Sequence, residues 1–231
     1  MIIEFLFLAI LVNMKKVIHI VNINDFFPEL FRLTHPTITH YAKKYDYTIN
    51  LITERKFSDY PIHYEKLQVY EDGKENDINV LLDADMLIRP DMPDFMQICK
   101  QDHVAYNDGY NISNRFYTDR IKYFLRDGRD LGVATSCVVS SQLTHDLWEP
   151  IDLTTQQITE LAISKKSDPE WERGCAHYID EFALSYNIAK YGLKIHGICA
   201  EDWQRPYLCH VGTGDKEKSI KLAQKFISDW F

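Results

Sequence analysis

The sequence lacks several features that would each have placed it in a broad class: paired Cys-x-x-Cys motifs, concentrated Lys and Arg, long apolar runs, low-complexity tracts and internal repeats. Cys99, Cys137, Cys175, Cys199 and Cys209 are odd in number and widely spaced, which argues against a disulfide framework or a zinc ribbon and for a reducing compartment. Cys175, His177, Cys209 and His210 can be drawn as a zinc site, but buried thiols are the preferred reading. The 231 residues carry 26 Lys and Arg against 34 Asp and Glu, a formal charge of -8. Phosphate backbones are bound through clustered cations, so no nucleic-acid partner is expected; an acidic protein that handles phosphates would do so through a metal ion.

Residues 1–12 are apolar apart from Glu4, and they fall short of the roughly 20 residues that a spanning helix needs. They also lack the basic start and small-residue cleavage site of a secretory signal. Met14 stands directly before Lys15, Lys16 and a clear strand, so residues 1–13 are read as an N-terminal extension, with a short interfacial anchor as the alternative. The expectation is a cytoplasmic chain with no transmembrane span, in which any membrane contact is peripheral.

What is present is an alternation of strand and helix. Residues 16–22 read as a buried strand ending in the polar turn Asn22, Ile23, Asn24, Asp25. Phe27, Leu30, Phe31, Leu33 and Ile38 give the following helix its apolar side, with Asn24 or Asp25 as cap and a kink or break at Pro36. Residues 47–53 are a second strand, which completes a β-α-β unit. A short helix over residues 64–70 then leads to the strongest strand, residues 78–82. Beyond Arg89 and Pro90 a helix contains Phe95 and Ile98, and residues 104–107 form a strand. Residues 116–125 read as a helix and 126–130 as a charged turn, either solvated or a lid. Helical spacing returns at 156–164 and 179–191, and residues 193–198 read as a strand. This pattern predicts a single compact α/β domain with a mainly parallel, mixed, Rossmann-like sheet flanked by helices.

Asp83 and Asp85 lie at the end of the strongest strand. In open α/β sheets that is where ligands bind. Two carboxylates one residue apart can approach one hard cation, and Mg²⁺ or Mn²⁺ takes oxygen ligands readily; capping of a turn is the alternative.

The segment HYEKLQVYEDGKENDINVLLDADMLIRPDMPDF, from His63 to Phe95, resembles the central block of glycogenin-like and bacterial lipopolysaccharide galactosyltransferases, which have the GT-A fold. Lys66, Asp83, Ala84 and Asp85 match that block. The resemblance implies that Lys66 assists nucleotide or sugar binding and that the aspartates bind metal and ribose; a surface lysine is the other reading of Lys66. The same family carries a terminal His-x-x-Gly-x-x-Lys segment. Here His210, Gly212, Gly214 and Lys216 resemble it, with the glycine displaced to either side, which implies a metal-ligating His210 and a diphosphate-binding Lys216. Backbone N–H groups of such a glycine-rich loop can approach phosphate oxygens.

Asn22 and Asn24 stand where enzymes of this fold receive nucleobase and ribose, and helix capping is their alternative role. Asp180 and Glu181 resemble the family's acidic Asp-Gln segment on the acceptor side, with Glu181 in place of Gln. They imply either a general base or groups that orient the sugar, against a plain interaction with a helix dipole. Trp171 and Trp203 could stack on a base or sugar, but aromatic residues most often fill cores.

By this resemblance residues 14–100 form the nucleotide-sugar-binding half, and residues 101–231 form the acceptor-binding half with the terminal metal and diphosphate loop. The function implied is metal-dependent transfer of a sugar from a nucleotide-diphosphate donor, a uridine one, to a hydroxyl of a glycan or lipid-linked acceptor. Two alternatives stand behind it. Haloacid-dehalogenase-like phosphatases also place Asp-x-Asp after an apolar strand, but they continue with Thr or Val where Leu87 stands, and their aspartates open the fold. A nucleotide-sugar or glycan-binding module without turnover is the third reading.

Overall fold

The computed structural model describes residues 14–107, 133–158, 179–198 and 207–231. The first strand β1 (Lys16–Val21), helix α1 (Pro28–Tyr45) and strand β2 (Thr48–Ile52) form the expected β-α-β unit. A 3₁₀ helix (Ile62–Gln68) runs into the single turn α2 (Val69–Asp72) and delivers the chain to β3 (Ile78–Asp83). There follow β4 (Met86–Ile88), the single turn α3 (Phe95–Ile98), β5 (His103–Tyr106) and β6 (Cys137–Ser141). A second 3₁₀ segment (Gln142–Trp148), α4 (Ile179–Tyr191), β7 (Lys194–Gly197), β8 (Leu208–His210) and α5 (Lys216–Trp230) complete the described elements.

Among the described residues, six strands make the central sheet in the order β2-β1-β3-β6-β5-β7. β1 runs parallel to both β2 and β3, β6 is antiparallel to β3 and β5, and β7 is parallel to β5. A mainly parallel sheet with one reversed strand therefore agrees with the sequence pattern.

Alternation along the strands builds a core on each side, because successive side chains point to opposite faces. Leu81 and Val138 face the layer of Tyr64, Leu67, Trp148 and Phe182. Val80, Leu82, Cys137 and Val139 face Ile38, Tyr41 and Phe95. Each fully buried aliphatic contributes about 1.5–3 kcal/mol, so the strand β3 that aims Asp83 is anchored by apolar packing on both faces.

Two local expectations are corrected. Helix α1 is not capped by Asn24 or Asp25: its cap position is Phe27, whose backbone is left-handed at φ 56°, and no side chain bonds there. Pro28 opens the helix, where a missing N–H costs nothing. Nor does Pro36 divide α1, which runs through it. Instead, Thr34 and Thr37 on that stretch bond to the chain after β3: Thr34 Oγ1 donates to the Ala84 carbonyl at 2.5 Å, and Thr37 Oγ1 accepts from Ile88 N at 3.2 Å. The expected helix at 116–125, the turn at 126–130, residues 131–132 and 159–164, Trp171, Cys175, His177, Cys199 and Trp203 lie outside the described residues. Among the described residues no helix is long and apolar enough to cross a membrane.

Candidate functional site

Strand β3 ends in Asp83, and the turn through Ala84 and Asp85 leads into β4, which leaves the central sheet and pairs antiparallel with β8. In that small sheet Met86 stands opposite His210. The Val211 N–H donates to the Asp85 carbonyl at 3.1 Å, which extends the ladder past its last strand residue. The aspartates and the distant histidine are thus brought together by backbone pairing as well as by side-chain attraction.

Ligand-capable atoms of Asp83, Asp85 and His210 lie within 4.8 Å of one another. His210 Nε2 is 3.1 Å from Asp85 Oδ1. Burial raises the Asp85 carboxyl, but the hydrogen bond and charge of His210, with Lys66 behind it, bring it below the ordinary carboxylate range. Burial lowers the imidazole, and the charges of Asp85 and Asp83 outweigh that and raise it. Two carboxylates and an imidazole are a donor set that Mn²⁺ or Mg²⁺ accepts, so the residues fit a divalent ion. Cys209, next in the strand, packs instead with Leu87 and Val211 on the other side, so the drawn Cys209–His210 zinc pair does not form on one face.

Gly212 closes over the cluster. A Cβ placed there would lie 2.0 Å from Asp85 Oδ2 and 3.2 Å from His210 Nε2. The carboxylate can swing away from an added methyl, so Gly212→Ala should leave the unfolding midpoint within a few degrees of the parent value. If the cluster holds Mn²⁺, displacing the Asp85 carboxylate should nevertheless weaken its binding by about tenfold or more, read by titration calorimetry. A variant that binds Mn²⁺ as the parent does would show that Asp85 need not hold its present rotamer. Gly214, at φ 75°, occupies a backbone conformation that suits glycine. Asp215 then caps α5 through Lys218 N, and Lys216, exposed, stands 5.2 Å over the Phe27 ring.

Lys66 is not a surface residue: it is 6% exposed, and its ammonium contacts Asp83 Oδ1 at 2.6 Å and Asp180 Oδ2 at 2.8 Å. Thr135, which sequence reading did not single out, donates from Oγ1 to Asp180 Oδ2 at 2.6 Å and lies 3.1 Å from Lys66 Nζ. Burial works against the Lys66 charge, and Asp180 and Asp83 more than offset it, so the amine stays protonated. Asp180 is held below the usual carboxylate range, since Lys66, His63 and Thr135 outweigh its burial. Asp83 goes the other way: burial and the neighbouring Asp85 exceed what Lys66 and His210 supply, and its carboxyl is raised.

Glu181, next to Asp180, is 7% exposed, and its Oε2 has no hydrogen-bond partner among the described residues. Burial first, then the charges of Asp180 and Asp83, push its carboxyl well above the ordinary value against the pull of Lys66. A place in the first turn of a helix favours a carboxylate by at most about 2 kcal/mol. An unpaired interior charge costs several kcal/mol, so burial wins.

Asn22 extends β1 by one residue, with its N–H on the Ile52 carbonyl at 2.9 Å, and its buried Oδ1 lacks a partner among the described residues. Asn24 is exposed on the same turn with φ 58°. The structure therefore gathers Asp83, Asp85 and His210 into one cluster and Asp83, Lys66 and Asp180 into another that shares Asp83. It leaves Asn24 and Lys216 on the exposed surface.

No protein-family model matches the sequence, and no curated protein does. Among solved structures the chain is similar to a glycosyltransferase involved in the glycosylation of the major capsid of PBCV-1, at 9% identity over 91% of this chain and 99% of that one, with a TM-score of 0.54. It is also similar to a variant of Drosophila β-1,4-galactosyltransferase 7 in complex with manganese, UDP-Gal and xylobiose, at 10% identity over 87% of this chain and 72% of that one, with a TM-score of 0.49. At such identities the first of these likenesses establishes the fold, which is of the GT-A type.

Proposed function

We propose that this GT-A-fold chain is a metal-dependent glycosyltransferase that moves a sugar from a uridine-diphosphate donor to a hydroxyl of a glycan or lipid-linked acceptor. The observation that carries this reading is the meeting of Asp83, Asp85 and His210 at the carboxyl end of β3, within 4.8 Å of one another. A divalent ion held there supplies positive charge to the diphosphate of the donor.

The chain's own residues account for the rest. Asp83 and Asp85 hold the ion with His210, and Lys66 fixes the Asp83 rotamer from the buried side. Lys216 and the amides around Gly212 and Gly214 meet the diphosphate, where a cation and N–H donors stabilise charge that develops on the leaving group. Asn22 and Asn24 take the base and ribose; the unpartnered Asn22 amide oxygen favours a donor group such as a base N–H or a ribose hydroxyl. Ala84, whose carbonyl is tied to Thr34, keeps the backbone between the two aspartates in place. Residues 14–100 accordingly form the donor side, while Asp180 and His210 reach back to it from the acceptor side.

A phosphatase would need one aspartate free to attack. Here Asp83 is engaged by Lys66 and Asp85 by His210, which favours a ligand role for both.

The test is thermal stabilisation of the purified chain by nucleotide diphosphates and their sugars, with Mn²⁺, with Mg²⁺ and with chelator. At about a hundred times Kd, a bound donor should raise the midpoint by about 5 °C or more, only with metal present. No shift from a folded protein would overturn the reading. A shift without sugar transfer would favour a binding module, and phosphate release from simple phosphomonoesters would favour the phosphatase.

A further inference from the structure

Helix α1 contains a stretch that local preference does not favour. Thr34, Pro36, Thr37, Ile38 and Thr39 bring a proline and four β-branched residues, all weak helix formers, to its interior, yet the helix runs through them. Departures of this kind are expected where side chains serve another purpose. Thr34 and Thr37, at 0% and 3% exposure, lie three residues apart and so share one face of the helix. Thr34 Oγ1 donates to the Ala84 carbonyl at 2.5 Å and reaches the Phe31 carbonyl of its own helix only at 3.4 Å. Thr37 Oγ1 donates to the Thr34 carbonyl at 2.8 Å and accepts from the Ile88 N–H at 3.2 Å. The register of the small sheet explains what these hydroxyls meet. Among the described residues β4 pairs with β8 alone. The groups it turns to that side include the Asp85 carbonyl, bonded by Val211 N–H, and the Arg89 N–H, which donates to the Tyr207 carbonyl at 2.9 Å. Alternate residues of an antiparallel strand direct their main-chain groups to the opposite edge, and there stand Ala84 and Ile88. An edge without a second neighbour leaves such groups unpaired. Here two threonines take the place of the missing strand, one on the residue before Asp85 and one on the last residue of β4.

We propose that Thr34 and Thr37 are positioning residues for the metal cluster: their hydroxyls fix the main chain on both sides of Asp85, so that its carboxylate is set beside His210 before an ion arrives. The inference rests on the reading above that Asp83, Asp85 and His210 hold a divalent ion, and it adds a helix remote in sequence to what builds that site. A ligand set aligned in advance loses less freedom on binding. Removing the alignment therefore weakens affinity for the ion without removing any of its donors.

The experiment uses Thr34→Val and Thr37→Val, singly and together, which keep side-chain shape and remove the hydroxyl, and Thr34→Ser and Thr37→Ser, which keep it. Thr39→Gly is the control: Thr39 is exposed on the same helix and makes neither bond, so the change loosens α1 without touching the turn. Mn²⁺ affinity is read by titration calorimetry, the unfolding midpoint by thermal denaturation, and exchange of the Ile88 amide by NMR. The double valine variant is expected to bind Mn²⁺ about tenfold more weakly than the parent and the serine variants within about threefold of it. Thr39→Gly should bind as the parent does although its midpoint falls. The Ile88 amide should exchange faster in Thr37→Val than in the parent or in Thr37→Ser. If the double variant does not fold, each single valine variant is compared with its serine counterpart and should bind Mn²⁺ more weakly.

Valine variants that bind Mn²⁺ as the parent and the serine variants do would overturn the positioning role alone. So would an equal loss in Thr39→Gly, which would trace the effect to helix stability. A parent chain that binds no Mn²⁺ would strike the metal reading itself and the inference with it.

Discussion

Lys66→Met should destabilise the protein by about 3–5 kcal/mol at neutral pH, because it leaves two carboxylates in the interior with no cation between them. Lys66 and Asp180 are both nearly inaccessible, and Asp83 is only partly open, so solvent can do little to screen the exposed repulsion. The pH dependence gives the prediction its sign. In the parent, Lys66 helps hold Asp180 below the ordinary carboxylate range, so this pair contributes stability above that range and loses it as pH falls through the depressed folded value. In the variant, burial of Asp180 is opposed only by His63 and Thr135, and that of Asp83 only by His210, so both carboxyls move up. The penalty is then full at neutral pH and is relieved as acidification protonates them. Urea unfolding at two pH values should therefore show a gap between parent and variant that narrows towards acid pH. A gap independent of pH would mean that the lost methylene packing, and not charge, sets the cost.

Asp85→Ala is expected to reduce metal-dependent transfer by about a thousandfold or more, since several kcal/mol of charge stabilisation depend on its ligand. The fold should survive, because the Asp85 side chain is 24% exposed and its main chain is held by Val211 and the β4–β8 ladder. Asp85→Asn is the companion variant. It keeps an oxygen near His210 but removes the charge, so Mn²⁺ affinity measured by calorimetry should fall while the unfolding midpoint moves little. Unchanged metal-dependent turnover in Asp85→Ala would refute the ligand role.

The parts of this molecule that could be read from sequence are those with strong local periodicity. The apolar runs of β1 and β3, the alternation of β2 and the helical spacing of residues 179–191 all reflect burial patterns that tertiary contacts reinforce. Asp83 and Asp85 were visible because a strand end is a place where side chains leave the core. The start of α1 was misread because Asn24 and Asp25 carry the usual capping chemistry, yet their left-handed backbones spend them on the turn and let Pro28 open the helix. Lys66 could have been an exposed residue for the same reason that any lysine could. Only the approach of α4 reveals that two carboxylates surround it. Thr135 gave no signal at all: nothing in its neighbourhood of the chain marks a hydroxyl that will donate to Asp180.

The pairing of β4 with β8 has a consequence for the history of each molecule as it is made. Residues 86–209 separate Asp85 from its imidazole partner, and Met86 finds His210 only when β8 has been synthesised. Closing so long a loop is slow and costly in chain entropy, and it comes after the local β-α-β unit can already have formed. A nascent chain on the ribosome therefore carries the Asp83–Asp85 turn without His210 until β8 emerges. If the cluster holds a divalent ion as proposed, that ion meets all three donors only after β8 has paired with β4, so its binding follows the long-range closure and reports on it.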